Sequence, residues 1–406
     1  MISYNAEPST YRYSLSATSQ FFFCGVPFRL DTTARCRYDC QYCFARSRGG
    51  RGSGNELVAD PVSVERRFLR TLVNKRTDGI LGQMIEHRMP LHFGGISDPF
   101  SSSEVIAVSN KLLRIISEFD YPVVLSTKNP KALLRGDTAK YISGLRKIAV
   151  QISISSLNEK QQRLVEPSLP TNEERMYWLK EMSKMGFFII ARIQPLFSDN
   201  LDYVSNEIIP ALMEAGVKHV ILEFLKIPVE SRHSMIGDLF NSLDWNGYEK
   251  YSSLGAKLYG REWMLPPERK WELLQPIIEA IHNGNMTYGA GDYGLNHLGD
   301  TSCCCGIDRI PGFEGWFKSN ISYAIRSRVG SMLRIEDLYK HYSPKGSIRM
   351  YLNSNCRDDS CSSFMDYLVK KWNRPGTVNA PDTFLGVNWS GEYDDKRCCI
   401  YTCSIV

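Results

Sequence analysis

Nine consecutive residues carry the strongest chemical signal in the chain: Cys36-Arg37-Tyr38-Asp39-Cys40-Gln41-Tyr42-Cys43-Phe44. They set three cysteines at a C-x₃-C-x₂-C spacing, with an aromatic residue just before the last. Three thiolates can hold three irons of a [4Fe–4S] cube and leave the fourth iron open to another ligand. A structural zinc site calls for a fourth protein ligand, usually from a second nearby pair. None follows, because no cysteine occurs between Cys43 and Cys303. The alternatives are a zinc knuckle completed from elsewhere or three unrelated buried thiols.

Such a loop must be held by a scaffold, and the segments around it alternate between two periodicities. Phe28–Thr33 alternates apolar and polar residues as a half-buried strand does. Strand-like apolar runs recur at Leu91–Ile96, Pro122–Thr127, Ile148–Ser155, Phe187–Ile193 and His219–Phe224. Between them lie helical patterns, one opening at Asp60-Pro61 and another at Ser103-Glu104, and others over 131–145, 173–185 and 203–215. Apolar strands alternating with helices predict a parallel sheet covered by helices, with right-handed connections. Six units predict an α/β fold, a partial (β/α)6 TIM-type barrel over 29–225. Chemistry in such barrels sits at the C-terminal ends of the strands. There the sequence places the cysteine loop, Gly94-Gly95, Ser126 to Lys128, Ser153 with Ser155, Arg192 with Gln194, and Glu223.

Composition bounds the rest. The chain has 406 residues, 43% hydrophobic and 23% charged, as in ordinary globular proteins. A net charge of +5 is too mild to argue for nucleic acid and does not exclude it. No secretory signal pattern opens the sequence and no apolar run reaches a membrane span. Twelve cysteines without an export signal read as metal ligands in a reducing cytoplasm. Residues 1–28 read as a lead-in packed on the outside of the core, with Cys24 a small buried hydrophobe. Arg46–Gly54 is a flexible basic loop, either a solvated connector or a clamp on an anionic substrate.

The cysteine spacing resembles the signature of the radical S-adenosylmethionine (radical SAM) enzymes. A narrower resemblance covers the first half of the chain, to the branch that includes spore photoproduct lyase. It rests on the cysteine loop continuing into Phe44-Ala45-Arg46, on Gly95–Phe100 and Leu125–Pro130, on Val150–Ser155, on Glu166-Pro167 with Glu173-Glu174-Arg175, and on Arg192–Pro195. The resemblance implies that Cys36, Cys40 and Cys43 ligate the cluster and that S-adenosylmethionine chelates its open iron. Reduction by an electron donor such as flavodoxin or ferredoxin would cleave the cofactor, and the 5′-deoxyadenosyl radical would abstract hydrogen from the substrate. It implies Tyr42 against the adenine, Gly94 and Gly95 beside the methionine amino group, and Lys128 at the carboxylate or ribose. Ser153 and Ser155 would bind the ribose, and Arg192 the carboxylate. The plainer readings are a turn for the glycines, a snorkelling lysine, an ordinary strand face for the serines, and an Arg192–Glu223 pair across neighbouring strands. One departure matters. Spore photoproduct lyase uses a barrel-wall cysteine near the second strand as hydrogen donor, and His92–Phe100 contains none. Thymine-dimer repair is therefore not carried over.

Beyond Lys226 the strand–helix rhythm fades, although a helix is expected from about Pro266. A glycine-rich loop, Gly289–His297, puts Asp292, Asn296 and His297 on the expected substrate side. Eight cysteines fall in the last quarter, which suggests a cysteine-rich C-terminal domain over 226–406. Cys303, Cys305, Cys356, Cys361, Cys398 and Cys403 make a candidate auxiliary site, for a second [4Fe–4S] cluster or zinc. The alternative is free thiols, one of them quenching a radical. The expectation is a cytoplasmic radical SAM enzyme, of lyase or oxidoreductase type, acting on a large substrate. Nucleic acid is favoured, a peptide or protein is the alternative, and a zinc-stabilised binding protein without catalysis is the reading from another class. No membrane partner is expected.

Overall fold

The computed structural model describes residues 10–11, 13–18, 24–43, 57–310, 312–313, 323, 325, 332–338, 345–346, 363–377, 380–385 and 387–403. Its centre is an eight-stranded sheet. Strand β1 (Leu15–Ala17) pairs antiparallel with β2 (Phe28–Leu30). From β2 the pairing is parallel through β3 (Leu91–Phe93), β4 (Val123–Thr127), β5 (Ile148–Ile154), β6 (Phe188–Leu196) and β7 (His219–Phe224). These are the six expected strands in the expected order, and the architecture is that of a partial α/β barrel.

Two features lay outside the sequence expectation. The lead-in contributes β1, an added edge strand. At the other edge, residues 287–290 (Thr-Tyr-Gly-Ala) form a parallel strand against β7, running into what reads in the sequence as a glycine-rich loop. It is β11 here, because a small sheet of β8 (Ile227–Pro228), β9 (Lys257–Tyr259) and β10 (Glu262–Met264) precedes it. Gly289 explains the missed signal: a Cβ there would lie 2.0 Å from the Cys304 carbonyl oxygen and 2.5 Å from His219 Nε2. Only glycine lets this strand pass so close, and glycine hides the strand from propensity rules.

Helices form where caps allow. Asp60 caps the helix Pro61–Phe68 through a 3.0 Å bond from the Val62 amide. Asn158 and Thr171 open Glu159–Val165 and Asn172–Lys184 with reciprocal capping boxes. The expected helix over 131–145 is split into Pro130–Leu133 and Gly136–Ser143 at Gly136, whose φ is +51°. A third sheet, β12 (Met332–Leu333), β14 (Cys399–Cys403) and β13 (Val387–Tyr393) in spatial order, closes the described chain.

The outward faces of the parallel strands join the main core, with Phe93, Leu125, Val150, Ile152, Ile189 and Val220 almost fully buried. The inward faces are layered. At the N-terminal end, Val124, Ala149, Ile190 and Ile221 pack with Val26, Cys303, Cys305, Ile307 and Phe313 to floor the barrel. Above that floor the inward positions are polar: Arg29, His92, Ser126, Gln151, Arg192 and Glu223. No helix among the described residues is long and apolar enough to cross a membrane.

Candidate active site

The cysteine loop, Gly94-Gly95, Lys128 and Ser155 follow the C-terminal ends of parallel strands, while Ser126, Ser153 and Glu223 lie in their last two residues and Arg192 midway along β6. Cys40 is buried, and Cys36 and Cys43 are half-buried. A turn closed by the Cys43 amide on the Cys40 carbonyl, at 3.1 Å, binds the last two cysteines together. Burial pushes the Cys36 thiol up to about 12, with the Asp98 charge adding, while amides of Asp98 and Tyr38 pull the other way. Burial pushes Cys40 up to about 11 against the pull of the Lys128 ammonium.

Lys128, from the end of β4, is the hub of this mouth. Its ammonium donates to the Tyr42 hydroxyl and lies 4.6 Å from the centre of that ring. It also donates to Glu166 Oε1 at 2.7 Å. Glu166 is buried and accepts on its other oxygen from Arg175 at 2.6 Å and Gln162 at 3.0 Å. Arg175, fully buried, donates onward to the Ser153 carbonyl at 3.0 Å. Burial lowers the Lys128 pKa, and the thiols of Cys40, Cys43 and Cys36 oppose that shift. Lys128 thus ties the cysteine loop, through Tyr42, to the end of β4.

Asp98 ties the β3 loop to the same point. Its carboxylate accepts from the Lys128 amide at 2.6 Å, the Thr127 hydroxyl at 2.8 Å and the Phe100 amide at 2.9 Å. Burial pushes its carboxyl up against those donors. Asp31, at the end of β2, accepts from the Ile96 amide at 2.7 Å and leaves its second oxygen buried without a hydrogen bond.

The glycines of the β3 loop face occupied space. Gly94 has φ +88°, and a Cβ would meet the Ser126 carbonyl at 2.5 Å and Pro99 at 2.7 Å. A Cβ on Gly95 would lie 3.1 Å from Arg29 and 3.4 Å from the His92 ring. Ser153 and Ser155 both end β5, but the Ser155 hydroxyl accepts from the Leu157 amide and its backbone is clamped by Asn172. Arg192 donates to Gln194 and, at 2.8 Å, to Glu223. Tyr42 also packs edge-on to Phe197, with ring centres 6.4 Å apart.

The C-terminal cysteines separate. Cys303 and Cys305, with sulfurs 3.6 Å apart, join the barrel floor near Cys24. Cys24 is half-buried there, and burial pushes its thiol up to about 12. Cys398, Cys399 and Cys403 are on or next to β14 and belong to a different apolar cluster. Cys356, Cys361 and the Arg46–Gly54 loop lie outside the described residues. Among the described residues no three His, Cys, Asp or Glu side chains converge on a single metal position. A cubane cluster takes one thiolate per iron corner, so its ligands need not converge on a point. Three soft donors in one short loop, with Lys128 holding Tyr42 of that loop, suit such a group.

Asp98, Glu166 and Arg175 carry much of this geometry and were not among the expected site residues. All three lie in stretches that carry the resemblance, Asp98 in Gly95–Phe100, Glu166 in Glu166-Pro167 and Arg175 in Glu173-Glu174-Arg175. Their role was illegible because an ion pair between helices leaves no periodic trace.

With the geometry in place, comparison with solved structures shows what the partial α/β barrel is similar to in fold. The chain is similar to a single-residue variant of spore photoproduct lyase, with TM-score 0.51 and 14% identity over 68% of this chain and 78% of that one. It is also similar to a variant of that protein with bound AdoMet and dinucleoside spore photoproduct (TM-score 0.49, 14% identity, 68% and 78% covered). A third is SuiB of Streptococcus suis bound to S-adenosylmethionine (TM-score 0.42, 12% identity, 68% and 53% covered). At these identities the likeness is one of fold. No family model and no curated protein matches the chain.

Proposed function

We propose that the chain is a radical SAM enzyme acting on a large substrate. The observation that carries this is the loop of Cys36, Cys40 and Cys43 after β2, tied through Tyr42 to Lys128 at the end of β4, at the strand ends of a partial barrel. In this reading the three cysteines hold a [4Fe–4S] cluster. Bound there, the cluster would supply the electron that cleaves S-adenosylmethionine, received from a donor such as flavodoxin or ferredoxin.

The remaining roles belong to side chains that bind and orient. Lys128 fixes Tyr42 through its hydroxyl and offers the rest of its charge to a cofactor carboxylate or ribose. Glu166 and Arg175 position Lys128, since both oxygens of Glu166 are taken and neither partner can swing freely. Tyr42 presents a ring face at the mouth, suited to a flat base. Backbone polar groups of Gly94 and Gly95, whose missing side chains make room for Ser126, Pro99, Arg29 and His92, Ser153 and Ser155 at the β5 end, and Arg192 on β6 complete the proposed cofactor contacts. The Ser155 hydroxyl, already accepting locally, can still donate.

Nucleic acid is the substrate class we favour, on the resemblance in the first half of the chain and the cations along the inner wall. Peptide modification is the alternative. For the C-terminal cysteines the reading is a second cluster or zinc, and residues 226–406 as a C-terminal domain is likewise a proposal. The cell compartment proposed is the cytoplasm.

The test is formation of 5′-deoxyadenosine by anaerobically reconstituted, reduced protein given S-adenosylmethionine, beside Cys40→Ala. Iron content should be about four or eight per chain for one or two cubane clusters. Product from wild type alone is expected. Zinc bound at the three cysteines, with no product, would return the protein to a non-catalytic binding role.

A further inference from the structure

Four and five strands along the sheet from β2, the inner wall carries an ion triad. Glu223 Oε2 accepts from Arg192 at 2.8 Å, and Oε1 accepts from Lys226 just past β7. One carboxylate is therefore shared by two cations. The nearby acid does not complete the balance. Asp292 Oδ1 is taken by Lys270 at 2.7 Å and the Tyr293 amide at 3.1 Å, and its Oδ2 by the Phe224 amide at 2.8 Å. Lys270 and Asp292 are both almost fully buried and close on each other.

The surplus charge faces the open side. The Arg192 and Lys226 side chains are 23% and 13% exposed, against 7% for the carboxylate between them. The wall opposite carries His92 and Arg29. His92 is neutral, burial taking its pKa down to about 3 with Arg192 and Arg29 next in effect. Arg29 keeps a buried Nε without a hydrogen bond, donates to Ser16 at 3.3 Å and lies within electrostatic reach of the Asp31 carboxylate. A partly buried surplus cation is unfavourable unless an anion arrives to meet it.

We propose that Arg192 and Lys226 form an oxyanion site that binds a carboxylate or phosphate group entering the cup. The planar guanidinium offers two parallel donors to such a group, and the ammonium a point charge. Glu223 holds both cations at the wall in the meantime. The proposal deepens the reading above, where Arg192 was given to the cofactor's carboxylate, and it names Lys226 as a second ligand. An amino-acid carboxylate and a substrate phosphate present the same chemistry, so the test has an arm for each.

The experiment is isothermal titration of the purified full-length chain, without reductant, at constant ionic strength. The probes are inorganic phosphate and L-methionine, used separately. Saturable binding of at least one is expected, weakened tenfold or more by Arg192→Gln and by Lys226→Gln. Lys226→Arg should retain it, and Lys180→Gln, an exposed helix residue, should leave it unchanged. If the glutamine variants fail to fold, Arg192→Lys replaces them: it keeps the charge but loses the fork, and binding should weaken. Dependence seen only with phosphate assigns the site to a phosphorylated substrate, and only with methionine to the cofactor. No saturable binding of either by folded protein, or binding indifferent to both positions, overturns the site. Because no cluster turnover is involved, that failure is separate from a failure to form 5′-deoxyadenosine.

Discussion

At the scale of single residues, Glu166 has the most to lose. It is a fully buried carboxylate between Lys128 and Arg175, and one of those cations is itself fully buried. Removing one partner from such a network leaves charge uncompensated, at a cost of about 3–5 kcal/mol. Glu166→Ala should therefore lower the urea midpoint strongly and, by releasing Lys128, weaken S-adenosylmethionine binding in a separate titration. An unchanged midpoint would show that the triad is not formed. His92 gives a second residue-level expectation. Its folded pKa, about 3, lies below the unfolded value of 6.5, so the folded state favours the neutral ring. Its contribution is whole above pH 6.5 and is lost as pH falls toward 3, because the unfolded chain takes up the proton first. The full difference amounts to about 5 kcal/mol. Stability curves of wild type and His92→Gln should converge as pH drops from 7 to 4, with wild type losing more. Parallel curves would place the ring in contact with water. The cysteine spacing and Lys128 at a strand end were legible in the sequence because adjacency along the chain or strand phase encodes them. Glu166, Arg175 and Asp98 were not singled out, because their work is done across elements and depends on who stands opposite.

At the scale of elements, the mouth is built by loops tied crosswise rather than by strands alone. Asp98 follows β3 yet binds the last residues of β4 and the turn at Phe100. Losing that carboxylate would orphan two backbone amides and a hydroxyl in a buried place, each worth about 1–3 kcal/mol. Asp98→Ala should lower stability by several times as much as Thr127→Ala, which removes one of the three donors. Hydrogen exchange at the Lys128 amide should rise in the first variant and change little in the second. Equal destabilisation would mean the Asp98 clamp is no more than its bond to Thr127. The six parallel strands were readable from apolar runs ending in polar residues. The seventh was not, because β11 is Thr287-Tyr288-Gly289-Ala290, and its glycine is required by the Cys304 carbonyl and His219 beside it. Sequence rules count glycine against a strand; close packing of two backbones demands it.

At the scale of the molecule, the sheet decides what can be cut away. β11 covers the free edge of β7 along Thr287–Ala290, and Gly291 still bonds to Leu222 beyond it. The helix Pro267–Asn283 brings the chain to that edge, and its Lys270 locks Asp292 beneath it. A chain ending at residue 225 would leave β7 with an unpaired edge of buried residues, His219–Phe224, which is a template for aggregation. It would also lose Lys226, Asp292 and the cysteine floor of Cys303 and Cys305. We expect it to be insoluble. A chain ending at residue 310 keeps β11, the helix and most of the floor but loses Leu333, Trp372, Val387 and Tyr401 from the main core, and should be recovered folded with a lower thermal midpoint than the whole chain. The oxyanion site on β6 and β7 would survive in it, so phosphate or methionine titration of that shorter chain asks whether the cup is complete without the third sheet. Binding there would confine residues 332–403 to a role other than forming the cup. Loss of binding in a soluble, cooperatively folded protein would mean that the last hundred residues reach back to shape it.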